Sequence, residues 1–331
     1  MIAVDANGAD EGPAAVAEGA RRSGLDVLIF GPHAQIAQAG LRARVVDAPE
    51  TVKAGEEAVA AVRAKPDASI VQAARAVGDS RADALVSAGS TGPTLAAATL
   101  SIRRLTGVFR PALAVLLPIP GGPVLLLDAG ASVEVRPEHL VQFAYMGACF
   151  MEAVHGIARP RVGLLSVGVE SGKGTPGVLK AHDRLAEGGL NFVGNIEGFD
   201  LPKASADVVV SDGFTGNVAL KVLEGTVKAL TAAIRDRIRS RPMSSVGGLL
   251  VRGRMGALRD ELDPERAGGA ILLGLRKPVV VAHGSFGPPG IENAIRLARR
   301  AADEDMVGRM AEALEAAGVL RSVPAASVAE P

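Results

Sequence analysis

The sequence predicts an α/β protein with a doubly wound, mostly parallel sheet covered by helices in a Rossmann-like three-layer arrangement. Three observations predict this fold class. Short, β-branched apolar runs recur along the chain, and segments with helical spacing separate them. Glycine-rich polar turns follow some of these strands and lead into helices. The chain has 331 residues, 48% of them hydrophobic, which is enough to build a large core.

The first half of the chain shows this alternation from its start. The expected strands are Ile2–Val4, Val27–Phe30, Arg44–Val46, Ala84–Ser87, Ala112–Leu117 and Val124–Asp128. Between the last two, Pro118–Gly122 forms a tight turn, so we expect an antiparallel hairpin inserted in the sheet. The expected strands of the second half are Val162–Ser166, Val208–Val210 and Val279–Ala282.

The stretch 206–230 is the most informative part of the chain. Val208–Val210 predicts a buried strand, Asp212–Gly216 a tight polar turn, and the apolar residues that follow have helical spacing. Asn217 stands where this helix begins. Free N–H groups and the helix dipole favour an anion or a developing oxyanion there. The alternative is that Asn217 only caps the helix.

A second strand–turn–helix unit follows Ser87. Its turn contains Gly89, Ser90, Thr91 and Gly92, whose backbone N–H groups and hydroxyls can hold a phosphate without a lysine. The turn matches neither GxxxxGK[ST] nor GxGxxG. The sequence therefore predicts local anion binding here but no nucleotide-binding motif.

Lys173 lies between two glycines on the loop after Val162–Ser166, so we expect it to be exposed rather than packed. About one βαβ unit and an extra strand separate it from Asn217. Both residues should therefore follow parallel strands at one edge of the sheet, and we expect the Ser87–Pro93 turn at that edge as well. Asp128 also ends a strand, where open α/β sheets bind ligands.

Composition excludes several classes of function. There are 36 basic and 36 acidic residues, so no overall field attracts nucleic acid. No apolar run is long enough to span a membrane, and the start lacks the pattern of a signal peptide. No pair among the five histidines has metal-ligand spacing, so we expect neither a metal nor a cofactor.

The only cysteine, Cys149, cannot form an internal disulfide, which fits a reducing cytoplasm. It lies within a helical pattern, and no motif ties a histidine to it. We therefore interpret it as a buried core thiol rather than a nucleophile.

The character of the chain changes over residues 239–267, where a helical excursion is expected. Its apolar residues include Leu249, Leu250, Met255 and Leu258, and arginines stand between them. Such a mixture suits contact with a membrane surface, and it suits a dimer-packing helix equally well. We expect one catalytic α/β domain over residues 1–321, built as a single body or as two lobes, and a disordered tail over 322–331.

Several motifs in this order resemble one family, the phosphate acyltransferases of bacterial phospholipid synthesis (the PlsX family). The resemblance covers nearly the whole chain. It rests on the segments IAVDANGAD (2–10), SAGSTGP (87–93), GVFRPA (107–112), LDAGASVEVRPEHLVQFAYMG (127–147), PRVGLLSVGVESGKG (160–174), NFVGNIEG (191–198), ADVVVSDGFTGNVALKVLEG (206–225), GGAILLG (268–274) and AHGS (282–285).

The resemblance implies that inorganic phosphate attacks the thioester of a long-chain acyl-[acyl carrier protein], giving acyl phosphate for glycerol-3-phosphate acylation. The important lysine and asparagine of that family match Lys173 and Asn217. Gly89, Ser90, Thr91, Gly92, Asp128, Asp212, Gly213 and His283 would then bind phosphate or substrate. The fold implied is that of phosphotransacetylases and isocitrate dehydrogenase-like enzymes.

The resemblance also implies a homodimer in the cytoplasm, held peripherally at the inner face of the membrane, with a membrane glycerol-3-phosphate acyltransferase as a further candidate partner. This chain departs from the family pattern at Asn7–Ala9, at Ser90 and at Thr175. Two alternatives stay open at this point. One is a phosphotransacetylase-like enzyme that uses acyl-CoA, and the other is a non-catalytic scaffold of lipid synthesis at the membrane.

Overall fold

The computed structural model describes residues 1–40, 44–53, 55–240 and 242–321. The expected tail over 322–331 lies outside the described residues. Within the described residues, eleven strands form one sheet. In chain order the strands are β1 (Ile2–Asp5), β2 (Val27–Gly31), β3 (Arg44–Asp47), β4 (Ala84–Ser87), β5 (Ala112–Leu117), β6 (Val124–Leu127), β7 (Arg161–Leu165), β8 (Asn191–Ile196), β9 (Val208–Val210), β10 (Ala270–Leu273) and β11 (Val279–Val281).

The helices connect these strands and cover the sheet. They are α1 (Pro13–Ser23), α2 (His33–Ile36), α3 (Ala58–Ala64), α4 (Ser69–Gly78), α5 (Thr91–Ser101), α6 (Pro137–His155), α7 (Pro176–Ala186), α8 (Gly213–Arg239), α9 (Pro242–Glu261), α10 (Pro288–Asp303) and α11 (Met306–Ala316). Short 3₁₀ turns occur at Ala37–Ala39, Gly198–Lys203 and Pro264–Ala267.

The strand order is β3-β2-β1-β4-β11-β10-β5-β6-β9-β7-β8. The predicted hairpin is present, because β5 and β6 pair antiparallel. The sequence interpretation missed β10, which pairs antiparallel with both β11 and β5. The run AILL is too short to distinguish a strand from a piece of helix by periodicity alone.

These antiparallel pairings divide the sheet into two groups of strands that run in opposite directions. β4 is parallel to β1 and β11, whereas β6, β9, β7 and β8 are parallel to one another. Between the two groups the pairings β11–β10, β10–β5 and β5–β6 are all antiparallel, so the direction reverses three times. β4 and β7 therefore run in opposite directions, and their carboxyl ends lie at opposite edges of the sheet.

Alternation along the strands explains the three layers. In β1, Ile2 and Val4 belong to one hydrophobic cluster, and Ala3 belongs to the other. The first cluster includes side chains of α1, α6, α10 and α11, and the second includes those of α3, α4 and α5. Because successive side chains of a strand point to opposite faces, a sheet buried on both faces reads as the continuous apolar runs seen in the sequence.

The helical excursion expected over residues 239–267 is present as α9 and the 3₁₀ turn Pro264–Ala267, and α9 contacts the preceding helix α8. None of the residues from Lys221 to Ser240, which form the rest of α8 and its C-cap, is buried. On α9 the side chains of Leu249 and Leu250 are 68% and 83% exposed, and Leu258 is 39% exposed. Met255 is half-buried. Within the described ranges, no helix is both long and apolar enough to cross a bilayer.

Candidate functional site

Three loops meet where β6, β9 and β7 end, and we call this side of the sheet the β7 edge. The strands are neighbours and parallel, so the loops after them emerge side by side. The loops are residues 128–136, the turn that opens α8, and residues 166–175. The prediction that Lys173 and Asn217 follow parallel strands at one edge is confirmed.

Asp128 organises the first of these loops. Its side chain is fully buried, and its carboxylate accepts hydrogen bonds from the backbone N–H groups of Leu113, Gly130, Ala131 and Ser132 at 2.6 to 3.1 Å. Burial raises the pKa of Asp128 above its usual value, against the lowering effect of these four donors. The hydrogen bonds of this carboxylate therefore fix the backbone of the loop after β6.

The turn that opens α8 packs directly on that loop. Asp212 is the N-cap, and its carboxylate accepts from the Thr215 backbone N–H at 2.8 Å and the Thr215 hydroxyl at 2.7 Å. A Cβ at Gly213 would lie 2.7 Å from the Ser132 carbonyl oxygen. Only glycine fits there, because the helix start touches the backbone of the neighbouring loop.

Asn217 lies in the second turn of α8 and does not cap it. Its Nδ2 donates to the carbonyl oxygen of Ala129 at 3.0 Å, which links the α8 turn to the β6 loop. The alternative of a capping role is wrong because Asp212 is the N-cap, and the expectation that the helix begins at Asn217 is wrong because it begins at Gly213. An amide nitrogen has two N–H donors, so the bond to Ala129 leaves a second donor for a ligand.

Lys173 is exposed, as the flanking glycines predicted. A Cβ on Gly168 would lie 3.0 Å from Lys173 Cγ, so the lysine stem passes over that glycine. The Lys173 carbonyl accepts from the Ser166 hydroxyl at 2.9 Å and from Asn195 Nδ2 at 3.3 Å. Within the described part of the chain, no ion pair involves its ammonium group.

A groove of about 330 Å³ lies where these three loops meet. Thr175, two residues after Lys173, lines one side, and Asp212 lines another. The remaining lining is mostly apolar and consists of Val133, Glu134, Val135, Leu140, Gly177 and Val178. The groove therefore offers an apolar surface next to polar loop residues.

The predicted phosphate turn Gly89–Gly92 follows β4, at the side we call the β4 edge. The expectation that it shares an edge with Lys173 is wrong, because the central antiparallel strands reverse the sheet direction. Because the sequence interpretation missed β10, it could not tell how many antiparallel pairings separate β4 from β7. Ser90 is the N-cap residue of α5, but its side chain makes no capping hydrogen bond.

A buried polar cluster supports this second turn, and we call Asp5, Ser69, Ser87 and Thr94 the Asp5 cluster. The Asp5 carboxylate accepts from the Ser69 and Ser87 hydroxyls at 2.6 and 2.7 Å. Ser87 Oγ in turn accepts from the Gly89 backbone N–H at 3.1 Å. Burial raises the pKa of Asp5 to about 6, against the lowering effect of the two hydroxyls. Sequence reasoning missed this cluster, whose members are far apart in the chain.

His283 also lies at the β4 edge, just after β11. Its Nδ1 is 2.7 Å from the Ser285 hydroxyl, and the ring is exposed. The neighbouring Gly284 carbonyl accepts from the Asp10 backbone N–H at 2.8 Å. The structure thus places His283 beside the segment 5–10 and the Gly89–Gly92 turn, and not at the β7 edge.

Two further findings concern ligands and nucleophiles. Among the described residues, no group of three or more His, Cys, Asp or Glu side chains is arranged to hold a metal ion. Cys149 is buried as predicted, and burial raises the pKa of its thiol to about 11. Such a thiol carries little thiolate at neutral pH, which argues against a nucleophilic role.

Comparison with solved structures shows which fold the chain has. It matches a phosphotransacetylase from Streptococcus pyogenes with a TM-score of 0.60 at 18% identity, covering 92% of this chain and 94% of that one. A branched-chain phosphotransacylase from Enterococcus faecalis V583 matches with a TM-score of 0.59 at 16% identity, covering 91% and 99%. The chain therefore has the α/β fold of the phosphotransacylases.

Sequence comparison is more specific. Residues 1–309 match the family model described as "Fatty acid synthesis protein". A phosphate acyltransferase of Heliobacterium modesticaldum is 42% identical over 323 residues, covering 94% of this chain and 96% of the relative. One of Geobacillus sp. is 42% identical over 323 residues, covering 95% and 98%. The chain belongs to the phosphate acyltransferase family, and it is an enzyme that transfers acyl groups rather than a non-catalytic scaffold.

Proposed function

We propose that the protein transfers a long-chain acyl group from acyl carrier protein to inorganic phosphate at the β7 edge. The observation that carries this proposal is the meeting of the Lys173 loop and the α8 turn around one groove. The groove has an apolar surface, and two of the segments that line it also carry a cation, Lys173, and an amide donor, Asn217. Those are the groups that an acyl thioester and phosphate require.

The reaction needs no activated side-chain nucleophile. A phosphate oxygen attacks the thioester carbonyl carbon, and a tetrahedral oxyanion forms. When that oxyanion collapses, the C–S bond breaks, acyl phosphate is released, and the carrier thiolate takes a proton from solvent. Lys173 would hold phosphate and reduce charge repulsion as it approaches the carbonyl. The second N–H of Asn217 would donate to the oxyanion, and one such donor contributes about 3–4 kcal/mol. The assignment with these two roles exchanged stays open.

The competing proposal for the phosphate site is Gly89–Gly92 with His283, which lie at the opposite edge of the sheet from Lys173. Their support is the polar turn at the start of α5 and the Asp5 cluster beneath it. Replacing Thr91 with Val removes one hydroxyl from this turn. If the turn holds phosphate, this variant raises the KM for phosphate and leaves the KM for the acyl donor unchanged.

The deciding experiment measures products by mass spectrometry. Purified protein is offered phosphate with palmitoyl carrier protein or, in parallel, with palmitoyl-CoA. We expect acyl phosphate chiefly from the carrier-protein substrate and at least about 100-fold less from folded Lys173→Ala. Preferential turnover of acyl-CoA would reject the carrier-protein reading in favour of a phosphotransacetylase-like enzyme. A Lys173→Ala protein that forms acyl phosphate at the wild-type rate would show that the active site is not at Lys173.

We further propose that α9 contacts the cytoplasmic face of the membrane, which would place the acyl phosphate near a membrane glycerol-3-phosphate acyltransferase. Support comes from Leu249, Leu250 and Leu258, which are exposed on a helix that also carries exposed Arg252 and Arg254. Liposome flotation tests this proposal with all three leucines changed to Gln. Loss of flotation is expected, and unchanged flotation would contradict it.

We also propose that the protein forms a homodimer through the helices α8 and α9. The support for this proposal is the apolar surface of α8, where Val222 and Leu230 are 62% and 59% exposed. Changing both residues to Lys is expected to give monomers in sedimentation experiments. A dimer that persists in this variant would place the subunit interface elsewhere.

A further inference from the structure

Asn195 lies near the end of β8 and joins three parts of the β7 edge. Its Nδ2 donates to the carbonyl oxygens of Glu170 at 2.8 Å and Lys173 at 3.3 Å. Its Oδ1 lies 2.9 Å from His182 Nδ1. Because an amide oxygen only accepts, His182 Nδ1 carries the hydrogen of this bond. Although it is polar, Asn195 is only 4% exposed.

We propose that Asn195 is the positioning residue for Lys173, with His182 fixing the orientation of its amide. This inference rests on the proposed function, in which Lys173 holds phosphate. Asn195 contacts no substrate in this scheme. It acts through the backbone of the Lys173 loop, by fixing the point from which the lysine side chain projects.

The loop fixes part of its own shape, because the Lys173 backbone N–H donates to the Glu170 carbonyl at 3.0 Å. Gly172 and Gly174 flank Lys173, and Gly174 has a positive φ of 123°. Val167 and Val169 are 79% and 58% exposed, so the loop does not pack through them. Hydrogen bonds from outside the turn therefore have to fix the rest of the loop backbone.

Asn195 provides the bonds that reach this loop from another strand. Both of its donors are used on loop carbonyls, one on each side of the turn. The Ser166 hydroxyl adds a local anchor on the Lys173 carbonyl. An apolar residue at position 195 would leave two carbonyls without these partners, whereas an aspartate would place carboxylate oxygens against them.

His182 determines which way the Asn195 amide is turned. Its ring packs edge-on against Phe192, with 5.1 Å between the centroids, which fixes the ring plane. The ring then presents Nδ1 to the Asn195 oxygen, and this directs both amide hydrogens toward the loop. Loss of His182 should allow the amide to rotate, with a smaller effect than loss of Asn195 itself.

The strand offers a matched control. Asn191, at the other end of β8, donates from Nδ2 to the Arg159 carbonyl at 3.0 Å. It has the same side chain and makes the same kind of bond, but lies at the opposite edge. Asn191→Ala should therefore reproduce any general effect of weakening β8 and leave the Lys173 loop intact.

The experiment compares Asn195→Ala, Asn195→Asp and Asn191→Ala in steady-state kinetics. Misplacement of a substrate-holding group by about 1 Å can cost on the order of 100-fold. We expect both Asn195 variants to raise the KM for phosphate by about 10- to 100-fold, with the KM for the acyl donor within about twofold of wild type. Asn191→Ala should leave both values unchanged.

Hydrogen exchange provides a second measurement that does not need turnover. Backbone amides over residues 170–174 should exchange faster in Asn195→Ala, and those of the other strands should not. If Asn195→Ala does not fold, His182→Ala and Ser166→Ala each weaken the same support and give the same two measurements.

The outcomes separate the two proposals. An unchanged phosphate KM in a folded Asn195→Ala protein, or an equal increase in Asn191→Ala, overturns the positioning role while the proposed function stands. A Lys173→Ala protein with the wild-type KM for phosphate also overturns it, because Asn195 would have no group to position. A wild-type protein that makes no acyl phosphate rejects the proposed function. In that case inorganic phosphate binding by calorimetry still tests Asn195, and unchanged affinity in Asn195→Ala overturns the inference.

Discussion

The side chain of Asn217 donates a hydrogen bond of 3.0 Å to the backbone carbonyl of Ala129 and so joins the α8 turn to the loop after β6. The two residues follow neighbouring parallel strands. This bond fixes the amide plane, and the second N–H is thereby aimed in one direction. An oxyanion donor needs this preorganisation, because it must be in place before the charge develops.

Asn217→Ala should separate catalysis from stability. We expect acyl phosphate formation to fall by about 100- to 1,000-fold, the usual effect of removing one oxyanion donor. The free energy of unfolding should fall by only about 1 kcal/mol, the net value of one hydrogen bond. Product assays and denaturant unfolding measure the two effects. Asn191→Ala, which loses a bond of similar geometry, serves as the control and should keep full activity. A stability loss with unchanged activity would assign Asn217 a purely structural role.

Gly130→Ala should disturb the same amide from the opposite side. Gly130 has a φ of 140°, and a Cβ there would lie 3.1 Å from Asn217 Nδ2. We expect about 1–2 kcal/mol of backbone strain and, in addition, a clear loss of acyl phosphate formation as Asn217 is displaced.

Gly122→Ala is the matched control for this substitution. Gly122 has a φ of 141°, and nothing lies within 4 Å of a Cβ at that position. It should lose similar stability and keep its activity. Equal activity in the two variants would show that the position of Asn217 does not limit the reaction.

Asp5 should make stability depend on pH in the opposite sense to an ion-paired carboxylate. Burial raises the pKa of Asp5 from 3.8 to about 6. Over that interval the native state binds more protons than the unfolded state, so this group's contribution to stability falls as pH rises. Asp5→Asn lacks this ionisation. The stability of wild type relative to Asp5→Asn should therefore fall by about 1 kcal/mol between about pH 5 and about pH 7.

Urea unfolding of both proteins across this range measures the effect. The two proteins are compared because His155 changes stability with pH in the opposite direction. Burial lowers the pKa of His155 to about 4, so its contribution to stability rises as pH rises. Groups that both proteins share cancel in the difference. Parallel stability curves would show that Asp5 ionises in the native state as freely as in the unfolded chain.

Cys149 should react slowly with alkylating reagents. With its pKa raised to about 11 by burial, the thiolate fraction near pH 8 is about 100-fold below that of an ordinary cysteine. Iodoacetamide labelling followed by mass spectrometry should be slow in the native protein and fast after urea is added. Folded Cys149→Ala should form acyl phosphate at nearly the wild-type rate. Rapid native labelling accompanied by inactivation would contradict this prediction.

The sequence by itself determined the fold class, most of the strands and the loops that carry Lys173 and Asn217. Apolar runs and glycine-rich turns are local signals, and their spacing already contains the period of strands and helices. The resemblance to the phosphate acyltransferases also followed from the linear order of motifs. The exposure of Lys173 was predictable because glycines surround it.

Only the tertiary structure decided which of these loops meet. The three successive antiparallel pairings β11–β10, β10–β5 and β5–β6 reverse the direction of the sheet, and this places Gly89–Gly92 and His283 at the opposite edge from Lys173. Likewise, Asp212 rather than Asn217 caps α8, and Asn195 reaches the Lys173 loop from a strand more than twenty residues further along the chain. Strand pairing and side-chain contacts join residues that are distant in sequence. A local pattern can therefore identify the groups of a site, but the pairing of the strands determines which of them share it.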